Sequence, residues 1–219
     1  PNFGPMTAPS ELLSRLQVAL GAQYRIEREL GHGGMGRVFL ARDTTLDRPV
    51  AIKVVHPELA IHSSITERFL AEARMIARLR HPSIVAVHAA GESTGLFYYV
   101  MDYVPGMSLR QRLQRDGQLP VVEVNRILLD LADALHAAGT AGLVHRDVKP
   151  ENILLDDATG RVMLADFGIA RAMAGENIGT RTGEGIAVGT PTYMSPEQSA
   201  GDSVDARSDL YALGVVGYE

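Results

Sequence analysis

The 219-residue chain has no cysteine. Disulfides and thiolate metal sites are therefore excluded, and the composition suits a reducing compartment. The chain also lacks any apolar run long enough to cross a bilayer, and it shows no signal-peptide pattern. Nor is there an excess of positive charge: 21 Lys and Arg stand against 26 Asp and Glu, for a net charge of −5. That argues against a nucleic-acid backbone as the main partner, because such a partner favours a basic surface. What is present is ordinary for a globular protein, with 46% hydrophobic and 21% charged residues. The length allows one large domain or two small lobes with a real core.

Pro1 to Pro9 read as a disordered leader. Ser10 to Leu20 place Leu12, Leu13, Leu16 and Leu20 at helical spacing, with Ser10 as the N-cap. From Tyr24 the pattern turns strand-like through "YRIEREL", "RVFLARD" and "RPVAIKVV". Thr66 to Leu79 read as a helix, and "SIVAVHAAGE" and "LFYYVMDYV" as two more strands. After Pro105-Gly106 the character becomes helical. A short polar helix, a long amphipathic one from Val121 to the glycines near Gly142, two short strands and a final helix from near Asp205 are expected. The segment from Ala172 to Thr192 has no clear period. The fold class is α+β: a β-rich lobe and a helical lobe joined by a short connector, with a cleft of the kind that favours ligands.

"LGHGGMGRVFLARD" contains G-x-G-x-x-G at Gly31, Gly33 and Gly36, with Gly34 between. Alone the pattern is weak and fits a plain turn. A dinucleotide fingerprint needs a helix straight after the glycines, to bind the pyrophosphate at its N-terminus. Here Val38 and Phe39 follow in a strand-like run, so a hairpin is expected instead. A hairpin tip can lie over a triphosphate and offer backbone N–H groups. Val38 could cover an adenine face. Ala51 and Lys53 share one strand face in "VAIK", leaving room for a ligand beside an ammonium. Glu72 lies on the face of Phe69 and Ile76, and a carboxylate there needs a cation, so a Lys53–Glu72 pair is expected. "HRDVKPEN" is a polar loop between apolar runs. Asp147 could accept a hydroxyl proton, Lys149 could neutralise a phosphoryl group, and Asn152 with Asp166 could form an oxygen-rich site suited to Mg²⁺.

"GHGGMGRV", "VAIK", Glu72, "HRDVKPEN", "DFG" and "GTPTYMSPE", in this order, resemble the eukaryotic-type (Hanks-type) protein kinase family. "GGMG" and "SPEQ" look most like its bacterial serine/threonine branch. The resemblance covers about Tyr24 to Glu219 and implies a bilobal kinase-like fold. Residues 1–23 would be a leader with a short helix, 24–103 the N-lobe and 104–219 an incomplete C-lobe. It implies ATP as co-substrate, Mg²⁺ or Mn²⁺ as cofactor, and proteins with Ser or Thr acceptors as substrates. Leu30, Gly31, His32, Gly33, Gly34, Met35 and Gly36 would cover the phosphates. Lys53 would contact them and pair with Glu72. Asp147 would be the catalytic base, Lys149 would steady the γ-phosphoryl, and Asn152 and Asp166 would hold the metal. Met101 would be the gatekeeper and Asp102 to Val104 the hinge. Val38, Ala51 and Leu154 would enclose the adenine. Ile76, His145 and Phe167 match a stacked hydrophobic spine, and Asp209 a residue that bonds to the catalytic-loop backbone.

Arg146 would be the regulatory partner of a phosphate on Thr180 or Thr182, and Thr190 would touch Asp147 and Lys149. Other partners the resemblance allows are a second kinase domain, and a membrane only through segments outside this chain. The location would be cytoplasmic. "SPE" replaces the commoner "APE". The chain stops at Glu219, inside the family's anchoring helix, so it reads as a piece of a longer protein. Glu197 is then expected to lack an arginine partner, and Leu210, Leu213 and Val216 to be exposed. The competing reading is a pseudokinase or inactive binding module, against which Lys53, Asp147, Asn152 and Asp166 argue.

Overall fold

The computed structural model describes residues 9–33, 36–55, 64–93, 95–167 and 191–219. It is an α+β fold with a β-rich lobe and a mainly helical lobe. Helix α1 (Pro9–Leu20) precedes strands β1 (Tyr24–Gly33), β2 (Gly36–Asp43) and β3 (Arg48–Val55). Helix α2 (Ser64–Arg78) is followed by β4 (Val87–Ser93) and β5 (Leu96–Asp102). The strands form a five-stranded antiparallel sheet in the order β1-β2-β3-β5-β4. Helix α1 begins at Pro9, so Ser10 lies inside its first turn and is not the cap expected of it. Proline suits that opening position because its missing N–H is unpaired there anyway.

Strand β3 shows the period of two most clearly. Val50, Ile52 and Val54 point into one apolar cluster with Leu16 and Leu20 of α1, Phe39 and Val100. Ala51 and Val55 point into the other, with Phe69 and Ile76 of α2 and Met101. Helix α1 thus covers one face of the sheet and α2 the other. Leu16 is fully buried, and burial of such a side chain contributes roughly 1.5–3 kcal/mol.

The second lobe is built on β6 (Gly106–Ser108), α3 (Leu109–Asp116) and α4 (Val121–Thr140). These are followed by β7 (Ile153–Asp156), β8 (Val162–Leu164), α5 (Pro196–Ala200) and α6 (Ala206–Tyr218). Ser108 and Gln111 form a capping box on α3, Ser195 and Gln198 another on α5, and Asp205 caps α6. Strands β6, β7 and β8 make a small three-stranded antiparallel sheet. Its join to the larger lobe is direct: Val85 N–H donates to Leu164 O at 3.0 Å, and Leu164 N–H to Ser83 O at 2.9 Å.

One expectation for the last helix needs correction. Leu213 and Val216 are buried in the core they share with Ile127 and Leu131 of α4, and of the three residues expected to be exposed only Leu210 is. The packing of α6 on α4 covers that face. Glu197 accepts the Ser208 hydroxyl from the first turn of α6.

Gly36 illustrates a strict backbone demand. Its φ is +149°, and a Cβ there would lie 2.0 Å from Val54 O on the neighbouring strand. Gly33 has nothing within 4 Å of such a Cβ. Gly36→Ala is therefore expected to destabilise the fold by about 2 kcal/mol, and Gly33→Ala by less than ~0.5 kcal/mol. Urea unfolding of the two variants checks this, and equal losses would contradict it.

Candidate active site

The glycine segment is a hairpin. Strands β1 and β2 pair antiparallel down to Gly33 opposite Gly36, which agrees with the strand-like run read after the glycines. Arg37 donates to Glu29 Oε2 at 3.1 Å, tying the two strands together below the tip. His32 Nδ1 lies 3.1 Å from Glu29 Oε1, and its side chain is exposed. Leu30, Gly31, His32 and Gly33 are all exposed along this hairpin, while Gly34 and Met35 fall outside the described residues.

Beneath the hairpin the register sets neighbours. Val38 pairs with Lys53, and Ala51 with Met101. Ala51 and Met101 are buried in one cluster, and Val38, Val104 and Leu154 pack against it. The residues expected around an adenine thus belong to, or pack against, one cluster. Asp102 N–H donates to Ala86 O at 3.0 Å, and its carboxylate lies 2.6 Å from His88 Nε2.

The polar loop after α4 is built on two buried anchors. Asp209, on α6, accepts the N–H of His145 at 2.7 Å and that of Arg146 at 2.8 Å. Gln198 Nε2 donates to Arg146 O at 2.9 Å. These bonds hold Arg146 at φ +65°, a conformation uncommon for a side-chain-bearing residue. His145 is fully buried. Its Nδ1 accepts from Asp147 N–H at 3.3 Å, so Nε2–H donates to Ala165 O at 3.0 Å. Its ring packs on Phe167, with centroids 4.6 Å apart. Ile76 is buried in the same cluster as Phe167.

Three chemistry-bearing side chains then converge. Lys149 Nζ lies 2.8 Å from Asp147 Oδ2. Asn152 Nδ2 donates to Asp147 O at 2.7 Å and to Asp147 Oδ2 at 3.0 Å. Asn152 closes a 3-10 turn before β7, and its carbonyl accepts Ala165 N–H at 2.8 Å, with Asp166 following directly, two residues past the end of β8.

Asp166 corrects the expected Lys53–Glu72 pair. Lys53 Nζ lies 2.6 Å from Asp166 Oδ2, its one ion pair among the described residues. Tyr99 donates its hydroxyl to Asp166 Oδ1. Burial pushes the Asp166 carboxyl up, but the Lys53 ammonium and the bonds from Lys53 and Tyr99 outweigh it, so the net direction is down. Glu72 is half-buried, and its Oε2 has no hydrogen-bond partner among the described residues. Burial pushes its carboxyl up to about 7, against the opposing charge of Arg146. Lys53 is thus paired with Asp166, the carboxylate that also accepts from Tyr99.

The donor chemistry fits a hard divalent cation. Asp166 and Asn152 offer oxygen atoms, and such a cation takes one or two protein ligands with the rest from phosphates and water. Among the described residues no group of three or more His, Asp or Glu could hold a metal alone. Both Asp166 oxygens are engaged by Lys53 and Tyr99, so at least one must be released first.

Sequence reasoning missed two features. Tyr99 shares the inward face of β5 with Met101 and Phe97, and the period of two could have found it. Arg110 of α3 bonds Glu151 at 2.8 Å and also Tyr193 and Glu219. Those partners are remote in sequence, and no local signal announces them. Thr180, Thr182 and Thr190 lie outside the described residues.

Comparison with known proteins follows the same lines. The protein kinase domain model matches residues 24–219. The chain is 47% identical over 218 residues to the serine/threonine-protein kinase PknB of Mycobacterium leprae, covering 98% of this chain and 33% of that protein. It is 44% identical over 210 residues to the serine/threonine-protein kinase PknA of Mycobacterium tuberculosis, covering 94% of this chain and 48% of that protein. The chain thus spans about a third to a half of the length of these relatives. The crystal structure of the Mycobacterium tuberculosis PknI kinase domain superposes with a TM-score of 0.73 at 38% identity, over 90% of this chain and 73% of that one. With the catalytic-loop network, the glycine hairpin and this match in hand, the chain belongs to the protein kinase family.

Proposed function

We propose that this chain carries the phosphoryl-transfer site of an ATP-dependent protein serine/threonine kinase. The observation that carries the reading is the Asp147–Lys149–Asn152 network, which the Ala165 N–H to Asn152 O bond joins to the residue before Asp166. The names of the relatives and Lys149 in "HRDVKPEN" support Ser or Thr as the acceptor.

In this reading Asp147 accepts the proton of the acceptor hydroxyl as its oxygen bonds to the γ-phosphorus. The bond from that phosphorus to the β–γ bridging oxygen breaks, and ADP departs with the oxygen. Lys149 balances charge on the transferring group, and Lys53 balances it on the α- and β-phosphates. Mg²⁺ held by Asn152 and Asp166 would neutralise phosphate charge. Lys53 must leave Asp166 to take the phosphates, and Glu72 is the carboxylate that would then receive it. The hairpin from Leu30 to Gly36 covers the phosphates, with Val38, Ala51 and Leu154 around adenine and Met101 to Val104 at the hinge. Residues 24–103 and 104–219 form the two lobes on this view. Arg146, its backbone clamped from two sides, would receive an activating phosphate from Thr180 or Thr182. Among the described residues no helix is long and apolar enough to cross a membrane. Its need for ATP puts the domain in the cytoplasm.

The test uses the full-length protein with γ-labelled ATP and a basic acceptor protein. Metal-dependent label on serine or threonine, together with label on Thr180 or Thr182 of the kinase itself, is expected. No incorporation, or label on tyrosine alone, would overturn the reading.

A further inference from the structure

We propose that Tyr99 is a positioning residue that holds the site at rest, its hydroxyl keeping Asp166 on Lys53 and so keeping Lys53 from Glu72. The inference rests on the kinase reading above and adds a device to it.

Tyr99 lies opposite Lys53 in the β3–β5 register. Its ring is 2% exposed, in the cluster that holds Ala51 and Met101. A phenylalanine would fill that space equally well, so packing does not explain the hydroxyl. The hydroxyl donates to Asp166 Oδ1 while Lys53 holds Oδ2 at 2.6 Å. Both oxygens of one carboxylate are thereby engaged from adjacent strands. Asp166 sits at φ +63°, a left-handed conformation uncommon for side-chain-bearing residues, though aspartate is among those that adopt it most readily.

Glu72 is the other half of the device. Among the described residues its buried Oε2 has no hydrogen-bond partner. A buried acceptor left this way costs free energy, so the resting arrangement persists only because Asp166 holds the ammonium more firmly. Tyr99 is the added donor that makes it firmer. Phosphates entering the site compete with Asp166 for Lys53. Loss of the hydroxyl weakens their competitor and leaves their own contacts intact.

The experiment compares wild-type, Tyr99→Phe and Tyr99→Ile full-length protein in two measurements. Titration with a fluorescent ADP analogue and Mg²⁺ should show half-saturation about 3- to 10-fold lower without the hydroxyl, the scale of one hydrogen bond. Acylation of Lys53 by an amine-reactive ester, read by mass spectrometry without nucleotide, should be faster by a similar factor. Both gains should vanish in an Asp166→Asn background, where the hydroxyl has no carboxylate to hold on Lys53. A purely structural tyrosine would not produce that dependence. Unchanged affinity and unchanged Lys53 reactivity would overturn the latch while the kinase reading stands. Failure of the wild type to bind nucleotide would sink both together. Should Tyr99→Phe melt early, Tyr99→Ile, which also suits a buried strand, carries the same prediction.

Discussion

An Asp147→Asn variant is expected to lose phosphoryl transfer by about 10²–10⁴-fold while binding nucleotide as the wild type does. The two side chains have nearly the same shape, so the loop should keep its fold. What changes is the ability to take a proton. Asp147 Oδ2 now faces Lys149 Nζ at 2.8 Å and Asn152 Nδ2 at 3.0 Å. An amide can still accept from one of them, yet it cannot receive the acceptor's proton as that oxygen attacks phosphorus. The loss should therefore appear in kcat and hardly at all in nucleotide affinity. Steady-state kinetics beside an equilibrium titration separates the two. Activity retained within about threefold would remove Asp147 from the chemistry, whereas nucleotide binding without turnover by the wild type would restore the pseudokinase reading.

Glu72→Gln should stabilise the resting fold at pH 8 by roughly 3 kcal/mol and leave it almost unchanged at pH 5. The buried Glu72 carboxyl titrates near 7, above the ordinary 4.5. The folded chain thus holds a proton that the unfolded chain has already released between those values. Stability contributed by this group is complete below about 4.5, falls as pH rises, and is lost by the time pH passes 7. A difference of about 2.5 pH units corresponds to roughly 3 kcal/mol. Glutamine carries no charge to desolvate, so its variant should not show the decline. Urea unfolding at the two pH values reads the effect, and parallel curves for wild type and variant would refute it. The same variant should lose activity, because the carboxylate that would receive Lys53 is gone. Stability and activity then move in opposite directions, as expected of a group kept for function.

The local parts of this molecule were legible because short periods carry them. The strand after the glycines announced the hairpin, and Val50 and Ile52 against Ala51 and Lys53 announced the two faces of β3. Asp209, read by resemblance as a bond to the catalytic-loop backbone, makes that bond twice. What escaped the sequence were choices among remote partners. Whether Lys53 takes Glu72 or Asp166 depends on a third residue, Tyr99, placed by strand pairing 46 positions from Lys53 and 67 from Asp166 in the chain. Leu213 and Val216 looked exposed because the family's later helices are their expected cover, whereas packing against α4 buries them, a long-range choice the local sequence does not contain.

The alternation of β3 has a consequence for how this chain can vary. Every residue from Val50 to Val55 is buried. Five of them are apolar side chains divided between two cores, and the sixth, Lys53, enters the site. The strand therefore has no solvent side on which a substitution could be ignored. A change at Ile52 is felt under α1, a change at Val55 under α2, and neither core can relax without moving the lysine strung between them. Mutational tolerance should drop to its lowest along these six positions, while the outer side of α4, where Val122 and Leu129 are exposed, absorbs change freely.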